Sequence, residues 1–146
     1  MDAKTKVLIV DDDEVVRLSF LRSLRGDSRM VEAAADGPQA LAAMERHAFD
    51  VVLLDLRMPG MDGMDVLKAI KARWPESEVV IVTAYPSVES AIEAVRRGAF
   101  DYLAKPVGPD EIIGAADSAT RQKKWTLRRE RELDEGRLPA GAVTRH

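Results

Sequence analysis

The sequence of 146 residues contains no cysteine, only two histidines and few aromatic side chains. The absence of cysteine excludes disulfides, thiolate metal sites and cysteine nucleophiles. Two histidines, His47 and His146, exclude a histidine-rich zinc site and argue against a Ser–His–Asp triad. No apolar run approaches the roughly 18 residues that a membrane span needs, and no signal peptide precedes the first apolar run. We therefore expect a cytoplasmic protein without a membrane partner.

The charged residues divide the chain into an acidic body and a basic tail. Residues 1–120 hold 14 Lys and Arg against 21 Asp and Glu, whereas residues 121–146 hold 8 against 4. An acidic body is not typical of a nucleic-acid-binding domain, so we expect no direct contact between this domain and nucleic acid. We predict one domain over residues 1–120 and a charged C-terminal helical extension over residues 121–146.

Short apolar runs alternate with amphipathic segments five times along the chain. Several of the runs are uniformly apolar, which is typical of strands buried on both faces, and the segments between them have helical spacing. This alternation predicts an α/β fold in which helices cover both faces of a parallel sheet. The expected strands are residues 6–10, 30–35, 51–54, 79–82 and 100–104. The fourth helix, which Ser87 can cap, has one apolar face: Val88, Ala91, Ile92 and Val95.

Four of the five predicted strands end in residues that can take part in chemistry. These residues are Asp11 with Asp12, Asp55, Thr83 and Lys105. The carboxyl ends of strands in an open parallel sheet line the crevice where ligands bind, so these four strand ends should meet. Each residue alone has a simpler explanation: the acidic run caps a helix, the threonine belongs to a strand, and the lysine begins a loop. To explain all of them in this way requires coincidence at four strand ends.

Converging carboxylates without histidine or cysteine make a hard oxygen site that suits Mg²⁺. Asp55, at the end of a central strand, could act as a nucleophile and become an acyl phosphate. The Lys105 ammonium and the Thr83 hydroxyl could bind the phosphoryl oxygens. Because closely packed carboxylates repel one another, we expect a bound cation rather than a purely structural acid cluster.

Over about residues 4–120 the sequence closely resembles the receiver domain of bacterial two-component response regulators. The matching motifs are Val-Asp-Asp at 10–12, Leu-Asp-Leu-Arg-Met-Pro-Gly-Met-Asp-Gly at 54–63, Val-Thr-Ala at 82–84 and Gly-Ala-Phe-Asp-Tyr-Leu-Ala-Lys-Pro at 98–106. The resemblance implies a flavodoxin-like, doubly wound sheet of five parallel strands in the order 2-1-3-4-5 with five helices. It also implies a signalling module rather than an enzyme, with a sensor histidine kinase or a phosphotransfer protein as the phosphoryl donor.

The resemblance assigns the acidic residues to phosphorylation and metal binding. It implies that Asp55 is the phosphoacceptor. It further implies Mg²⁺ as the cofactor, held by Asp55, by Asp12 directly and by Asp11 partly through water. The backbone carbonyl of Arg57 would complete the protein ligands.

The resemblance also implies a switch. Thr83 and Lys105 would bind the phosphoryl oxygens, and Tyr102 matches an aromatic switch residue. When Thr83 moves to the new phosphoryl group, Tyr102 can swing inward. This movement would repack the face formed by the fourth helix, the fifth strand and the fifth helix, where a partner or a second copy of the chain binds.

Two further positions flank the acyl phosphate in this family and influence its hydrolysis. In this sequence they are Arg57, two residues beyond Asp55, and Tyr85, two residues beyond Thr83. A long arginine and an aromatic ring could restrict the access of water, so we expect them to prolong the phosphorylated state.

Two other functions are weighed against phosphorylation-dependent signalling. A haloacid-dehalogenase-like phosphatase also uses an aspartate nucleophile, Mg²⁺, Thr and Lys, and Asp11-x-Asp13 superficially fits its motif. However, no acidic pair follows Lys105 on a strand end, and the sequence has no cap insertion. A receiver-like binding module that never carries phosphate would usually lack one of Asp12, Asp55 or Lys105, and all three are present.

Residues 121–133 continue the helical pattern of the fifth helix. A spacing of seven relates four positions, Ile112, Ala119, Thr126 and Leu133. The companion positions of a coiled-coil seam are Ala116, Lys123 and Glu130. Because these are mostly polar, such a seam would be weak. Trp125 and Leu127 are hard to explain on a solvated helix, so a solvated helix and one that packs on a partner both stay open. The helix is expected to end at three residues: Gly136, Pro139 and Gly141.

Overall fold

The structure, a computed structural model, describes residues 4–136, and a parallel sheet lies at its centre. Its five strands are β1 (Thr5–Val10), β2 (Arg29–Ala34), β3 (Val51–Leu54), β4 (Glu78–Thr83) and β5 (Asp101–Ala104). They lie in the order β2-β1-β3-β4-β5, and every neighbouring pair is parallel. The doubly wound order that the resemblance implied is confirmed.

A helix follows each strand. The helices are α1 (Glu14–Leu24), α2 (Gly37–Arg46), α3 (Gly63–Arg73), α4 (Val88–Arg96) and α5 (Pro109–Asp134). The first four begin at a side chain that accepts a hydrogen bond from a first-turn N–H, which stabilises the helix start: Asp13, Asp36, Asp62 and Ser87. Among the helices of residues 4–136, none is both long and apolar enough to cross a bilayer.

Alternate residues of the strands contribute to two separate hydrophobic cores. One core lies under α2 and α3, and the other lies under α1 and α5. Strand β3 is buried on both faces, because Val52 and Leu54 enter the first core and Val51 and Leu53 enter the second. A slip of one residue would exchange these two sets, so packing fixes the register of β3. The position of Asp55, directly after β3, is fixed with it.

Helix α4 buries little of its surface. Ala94 is its buried residue, whereas Val88 is 76%, Ile92 47% and Val95 62% exposed. The apolar face that the sequence predicted is present, but it faces solvent rather than the core. The contacts that hold α4 to the sheet are therefore few, and its apolar face is open to a partner.

Helix α5 runs without interruption from Pro109 to Asp134. Its first half packs on the sheet, and we call residues 121–134 the extension. The division of the chain into residues 1–120 and 121–146 stays a prediction, because one continuous helix crosses the boundary. Gly136 follows the helix with a φ of 75°, which favours glycine. Pro139 and Gly141, the other expected helix ends, lie outside the described residues.

Candidate functional site

The carboxyl ends of β1 and β3 bring two aspartates together at one edge of the sheet, which we call the site edge. The pairing continues one residue past each strand, since the Asp55 N–H donates to the Val10 carbonyl at 2.9 Å and the Asp11 N–H donates to the Ala34 carbonyl at 3.1 Å. Backbone hydrogen bonds to the neighbouring strands thus fix the positions of both aspartates. Asp11 is 2% and Asp55 is 5% exposed.

Three carboxylates meet at the site edge. Asp11, Asp12 and Asp55 each offer an oxygen, and these oxygens all lie within 4.8 Å of one another. Asp12 is exposed, whereas both oxygens of Asp11 have partners: one accepts from the Asp13 N–H at 2.9 Å and the other from Lys105 Nζ at 2.6 Å. A cluster of carboxylate oxygens fits a hard divalent cation such as Mg²⁺. Of the acidic pair after β1, Asp12 is the more accessible to an ion.

Lys105 supplies a positive charge to this cluster. It follows β5, and its N–H donates to the Thr83 carbonyl at 2.8 Å. Its Nζ lies 2.6 Å from Asp11 Oδ2 and 3.8 Å from Asp55 Oδ2. The lysine therefore neutralises part of the acidic charge, and it is within reach of any group that binds to Asp55.

The electrostatics of the cluster raise the pKa of Asp55 from 3.8 to about 6. Burial of the carboxyl is the largest cause, and repulsion from Asp11 adds to it. The Lys105 charge and the Arg57 N–H, which donates to Asp55 Oδ1 at 3.3 Å, act in the opposite direction. Lys105 and the Arg57 N–H do not fully offset the cost of burying the Asp55 carboxylate. A cation near Asp55 would therefore stabilise its ionised form.

Thr83 is the last residue of β4 and is 1% exposed. Its hydroxyl oxygen accepts a hydrogen bond from the Tyr85 N–H at 3.1 Å. The threonine hydroxyl lies at the same edge of the sheet as Asp55, because β3 and β4 are parallel neighbours. Its proton is available to a further acceptor at the site edge.

The loop between β3 and α3 returns close to Asp55. The Gly63 N–H donates to the Leu56 carbonyl at 3.0 Å. A Cβ on Gly63 would lie only 2.3 Å from the Asp55 carbonyl oxygen. The chain can therefore approach the phosphoacceptor candidate this closely only because residue 63 is a glycine.

Arg57 and Tyr85 stack on one another at the surface. The guanidinium carbon of Arg57 lies 4.2 Å from the centre of the Tyr85 ring, within the range of a cation–π interaction. The two side chains come from the loops that follow β3 and β4. Together they form a cover beside the strand ends that carry Asp55 and Thr83.

The Tyr102 side chain is held by the start of α4. Its hydroxyl accepts from the Ser87 N–H at 3.2 Å and shares a hydrogen bond with the Ser90 hydroxyl. The Ser87 hydroxyl in turn donates to Ser90 Oγ at 2.9 Å. Tyr102 is partly buried against the core under α2 and α3, so it joins that core to the first turn of α4.

The structure thus brings together Asp11, Asp12, Asp55 and Lys105, with Thr83 at the same edge. Sequence reasoning missed Arg17, whose guanidinium donates to the Asp11 carbonyl at 2.8 Å, and it missed the contacts of Gly63 and Ser90. Gly63 was within the matching motif, which was the available signal. No pattern marked Arg17 or Ser90, because their partners depend on where α1 and α4 lie.

Comparison with known proteins identifies a family over most of the chain. The model of the response regulator receiver domain matches residues 7–117. The chain is 36% identical over 141 residues to the alginate biosynthesis transcriptional regulatory protein AlgB of Pseudomonas aeruginosa, covering 97% of this chain and 31% of that protein. It is 42% identical over 113 residues to the DNA-binding transcriptional regulator NtrC of Salmonella typhimurium, covering 77% of this chain and 24% of that protein. The chain therefore spans about a third or less of the length of these relatives.

A similar fold occurs among solved structures. A CheY-like receiver domain protein from Methanospirillum hungatei superimposes with a TM-score of 0.81 at 28% identity. The match covers 85% of this chain and 99% of that one. The fold and the sequence motifs therefore agree on the same family.

The raised pKa of Asp55 gives a test of the electrostatics of the site. Its value of about 6, against 3.8, means that the folded chain binds this proton more tightly than the unfolded chain does. The free energy of unfolding therefore falls as the pH rises from about 3.8 to 6. At pH 7 without divalent cations, Asp55→Asn should increase the free energy of unfolding, and the increase should be smaller at pH 5. Urea unfolding at the two pH values measures it.

The matched control is Asp27→Asn, which removes an exposed carboxylate and should change the free energy of unfolding little at either pH. If Asp55→Asn gives no increase at pH 7, the ionised carboxylate is not destabilising, and our account of the cluster is wrong.

Proposed function

Because the chain belongs to the response regulator receiver domain family, we propose that it accepts a phosphoryl group on Asp55 in a Mg²⁺-dependent reaction. The donor is a sensor histidine kinase or a phosphotransfer protein in the cytoplasm. The observation that carries this proposal is the meeting of three carboxylates within 4.8 Å beside Lys105, whose Nζ is 3.8 Å from Asp55. One of the acids can act as the nucleophile, the others can hold a cation, and the lysine can offset negative charge on a phosphoryl group.

In the proposed reaction, one Asp55 oxygen attacks the phosphorus atom, and the bond from phosphorus to the donor breaks as the acyl phosphate forms. The residues that would hold Mg²⁺ are Asp12, Asp55, Asp11 partly through water, and the backbone carbonyl of Arg57. The ion would supply positive charge for the phosphoryl oxygens. The pKa of about 6 leaves Asp55 mostly ionised at pH 7, and only the ionised carboxylate is a nucleophile.

Lys105 and Thr83 would stabilise the product. The Lys105 ammonium already lies between Asp11 and Asp55, so a small movement would bring it from Asp11 to a phosphoryl oxygen. The Thr83 hydroxyl can donate a hydrogen bond to another phosphoryl oxygen, whether or not its oxygen still accepts the hydrogen bond from the Tyr85 N–H. We propose that the chain acts as a signalling module that catalyses only its own phosphotransfer and slow dephosphorylation.

The proposed output is a change in the face formed by α4, β5 and α5. Movement of Thr83 towards the phosphoryl group would give Tyr102 room to repack and leave the first turn of α4. The exposed apolar residues of α4, Val88, Ile92 and Val95, would then contact a partner protein or a second copy of the chain. The AlgB and NtrC relatives are transcriptional regulators. We therefore propose a transcriptional output, without direct contact between this domain and DNA.

Incubation with acetyl phosphate and Mg²⁺ tests the phosphoacceptor directly. Intact mass spectrometry should show the gain of one phosphoryl group in the wild type and none in Asp55→Asn, because the amide is not a nucleophile. Asp62→Asn is the matched control: it removes an acid from the same loop and keeps a good helix cap, so it should gain mass as the wild type does.

Two results would contradict the proposal. If the wild type gains no mass, the chain is a binding module that does not carry phosphate. If it hydrolyses diverse phosphate esters over many turnovers, it is a phosphatase of the aspartate-nucleophile class.

The stack of Arg57 on Tyr85 predicts the lifetime of the phosphorylated state. If the stack restricts water, Arg57→Ala/Tyr85→Ala should lose phosphate about two- to fivefold faster, the ratio that corresponds to one exposed cation–π interaction. Release of phosphate after removal of the donor measures the rate. Arg73→Ala is the control, because Arg73 makes an equivalent stack on Trp74 at 4.3 Å, away from the site edge. Equal decay in wild type and double variant would exclude a role for the stack.

The hydrogen bonds of Tyr102 predict that its hydroxyl restrains α4. Tyr102→Phe removes the two hydrogen bonds of its hydroxyl, and Ser90→Ala removes the one between Ser90 and Tyr102. At about 1 kcal/mol for a hydrogen bond, amide exchange in residues 88–96 should become at least roughly fivefold faster in either variant. Hydrogen exchange of the unphosphorylated chain measures this. Tyr85→Phe removes a hydroxyl from an exposed ring and should leave exchange in α4 unchanged. Unaltered exchange in Tyr102→Phe would show that the hydroxyl does not hold α4.

A further inference from the structure

The sheet-facing side of α5 changes from apolar to charged where the helix passes the end of the sheet opposite to the site edge. Ile112, Ala116 and Ala119 are buried on this side. The next position on the same side, four residues after Ala119, is Lys123. A solvated lysine would be ordinary at this point, but the Lys123 side chain is only 14% exposed.

Lys123 reaches the chain immediately before β3. Its Nζ lies 2.6 Å from Oδ1 of Asp50, whose side chain is 27% exposed. The other oxygen of Asp50 accepts from the Lys6 N–H at 2.7 Å. The Asp50 backbone is also held, because its N–H donates to the Lys6 carbonyl at 2.8 Å and its carbonyl accepts from the Glu78 N–H at 3.0 Å. Asp50 is thus a fixed acceptor, tied to both neighbouring strands.

The extension does not pack tightly on the body beside this ion pair. A cavity of about 640 Å³ lies between the extension and the loops that lead into β4 and β5. Phe100 and Val95 line its far side, and Thr126 and Leu127 line the near side. Leu127 is 43% exposed, so it does not fill the space. Residues 124–134, which span roughly 16 Å at 1.5 Å per residue, follow this ion pair.

We propose that the Asp50–Lys123 ion pair is a positioning element that fixes the direction in which α5 leaves the receiver body. Asp50 directly precedes β3 and Asp55 directly follows it. One four-residue strand, buried on both faces, therefore joins the phosphoacceptor candidate to the residue that holds the extension. The ion pair then sets the direction of the extension relative to the central strand β3.

The absence of cysteine from the sequence makes a spin-label test possible. Nitroxides on Ala72→Cys and Arg128→Cys, both at exposed positions, report the distance from α3 to the extension by pulsed electron resonance. We expect one narrow distance distribution in the otherwise wild-type chain. Lys123→Met should broaden or shift it, because the methionine keeps the length of the side chain and loses the charge.

The matched control is Lys124→Met, which makes the same substitution at the adjacent, exposed residue and should leave the distribution unchanged. Asp50→Asn should broaden the distribution as Lys123→Met does, and the double variant should add little to either single one. Amide exchange in residues 121–134 should rise roughly tenfold in Lys123→Met, as expected on loss of a largely buried pair.

Three results would overturn the inference. The distance distribution of Lys123→Met could match that of Lys124→Met. The effects of Asp50→Asn and Lys123→Met could be additive, which would mean that the two residues act separately. Amide exchange could rise equally in β1 and β3, which would make the pair a general stabiliser. A wild-type far-ultraviolet circular dichroism spectrum and one cooperative unfolding transition of Lys123→Met would show that the body stays folded, and neither measurement depends on the phosphoacceptor proposal.

Discussion

The burial of Asp55, together with the repulsion among Asp11, Asp12 and Asp55, is the constraint on which the arrangement of the site edge depends. Hydrophobic packing places two of these carboxylates in largely buried positions, because the register of β1 and β3 is fixed by residues that face both cores. The fold therefore imposes an electrostatic cost at this edge. Lys105, at 2.6 Å from Asp11, offsets part of it, and the raised pKa of Asp55 shows that the compensation is incomplete. A site in this condition favours the binding of further positive charge.

The same repulsion explains why Lys105 can serve two partners. Paired with Asp11, it stabilises the chain without an ion. If a cation bound at the carboxylates, the attraction that keeps the lysine at Asp11 would weaken, and the ammonium would become available to an anionic group on Asp55. One residue can thus offset the acidic charge of the cluster and take part in the proposed chemistry. This dual use requires that the lysine follow an edge strand next to β4, where its backbone is held by Thr83.

The parts of the structure that the sequence predicted depend on patterns within single segments. The uniformly apolar residues of β3 indicated burial on both faces, and the polar residues after four strands indicated one shared edge of a parallel sheet. The geometry of Asp11, Asp55 and Lys105 confirms that they meet there. These predictions succeed because the topology of a parallel sheet places every strand's carboxyl end at one edge, whatever the distance along the chain.

The contacts that the sequence did not predict depend on how one element lies against another. An apolar face on α4 has the same spacing whether it faces the core or solvent, so the exposure of Val88 and Val95 could not be read from the pattern. The hydrogen bond between Tyr102 and Ser90 depends in the same way on the placement of α4. Lys123 and Asp50 are 73 residues apart, and the lysine had counted only as a polar interruption of a coiled-coil seam.

The two ion pairs near the ends of β3 have opposite physical characters. Lys105 lies near two carboxylates, at 2.6 Å from Asp11 and 3.8 Å from Asp55, so it has a second partner within reach when the charge of the site changes. Lys123 is paired with Asp50, whose second oxygen is already bonded to the Lys6 N–H, so β1 holds its acceptor in place. A pair with competing partners suits a site that must change state, and a pair with one fully bonded partner suits an attachment that must stay fixed. Since both pairs border the same buried strand, the protein combines a rearrangeable charge cluster at one end with a rigid anchor for its C-terminal helix at the other.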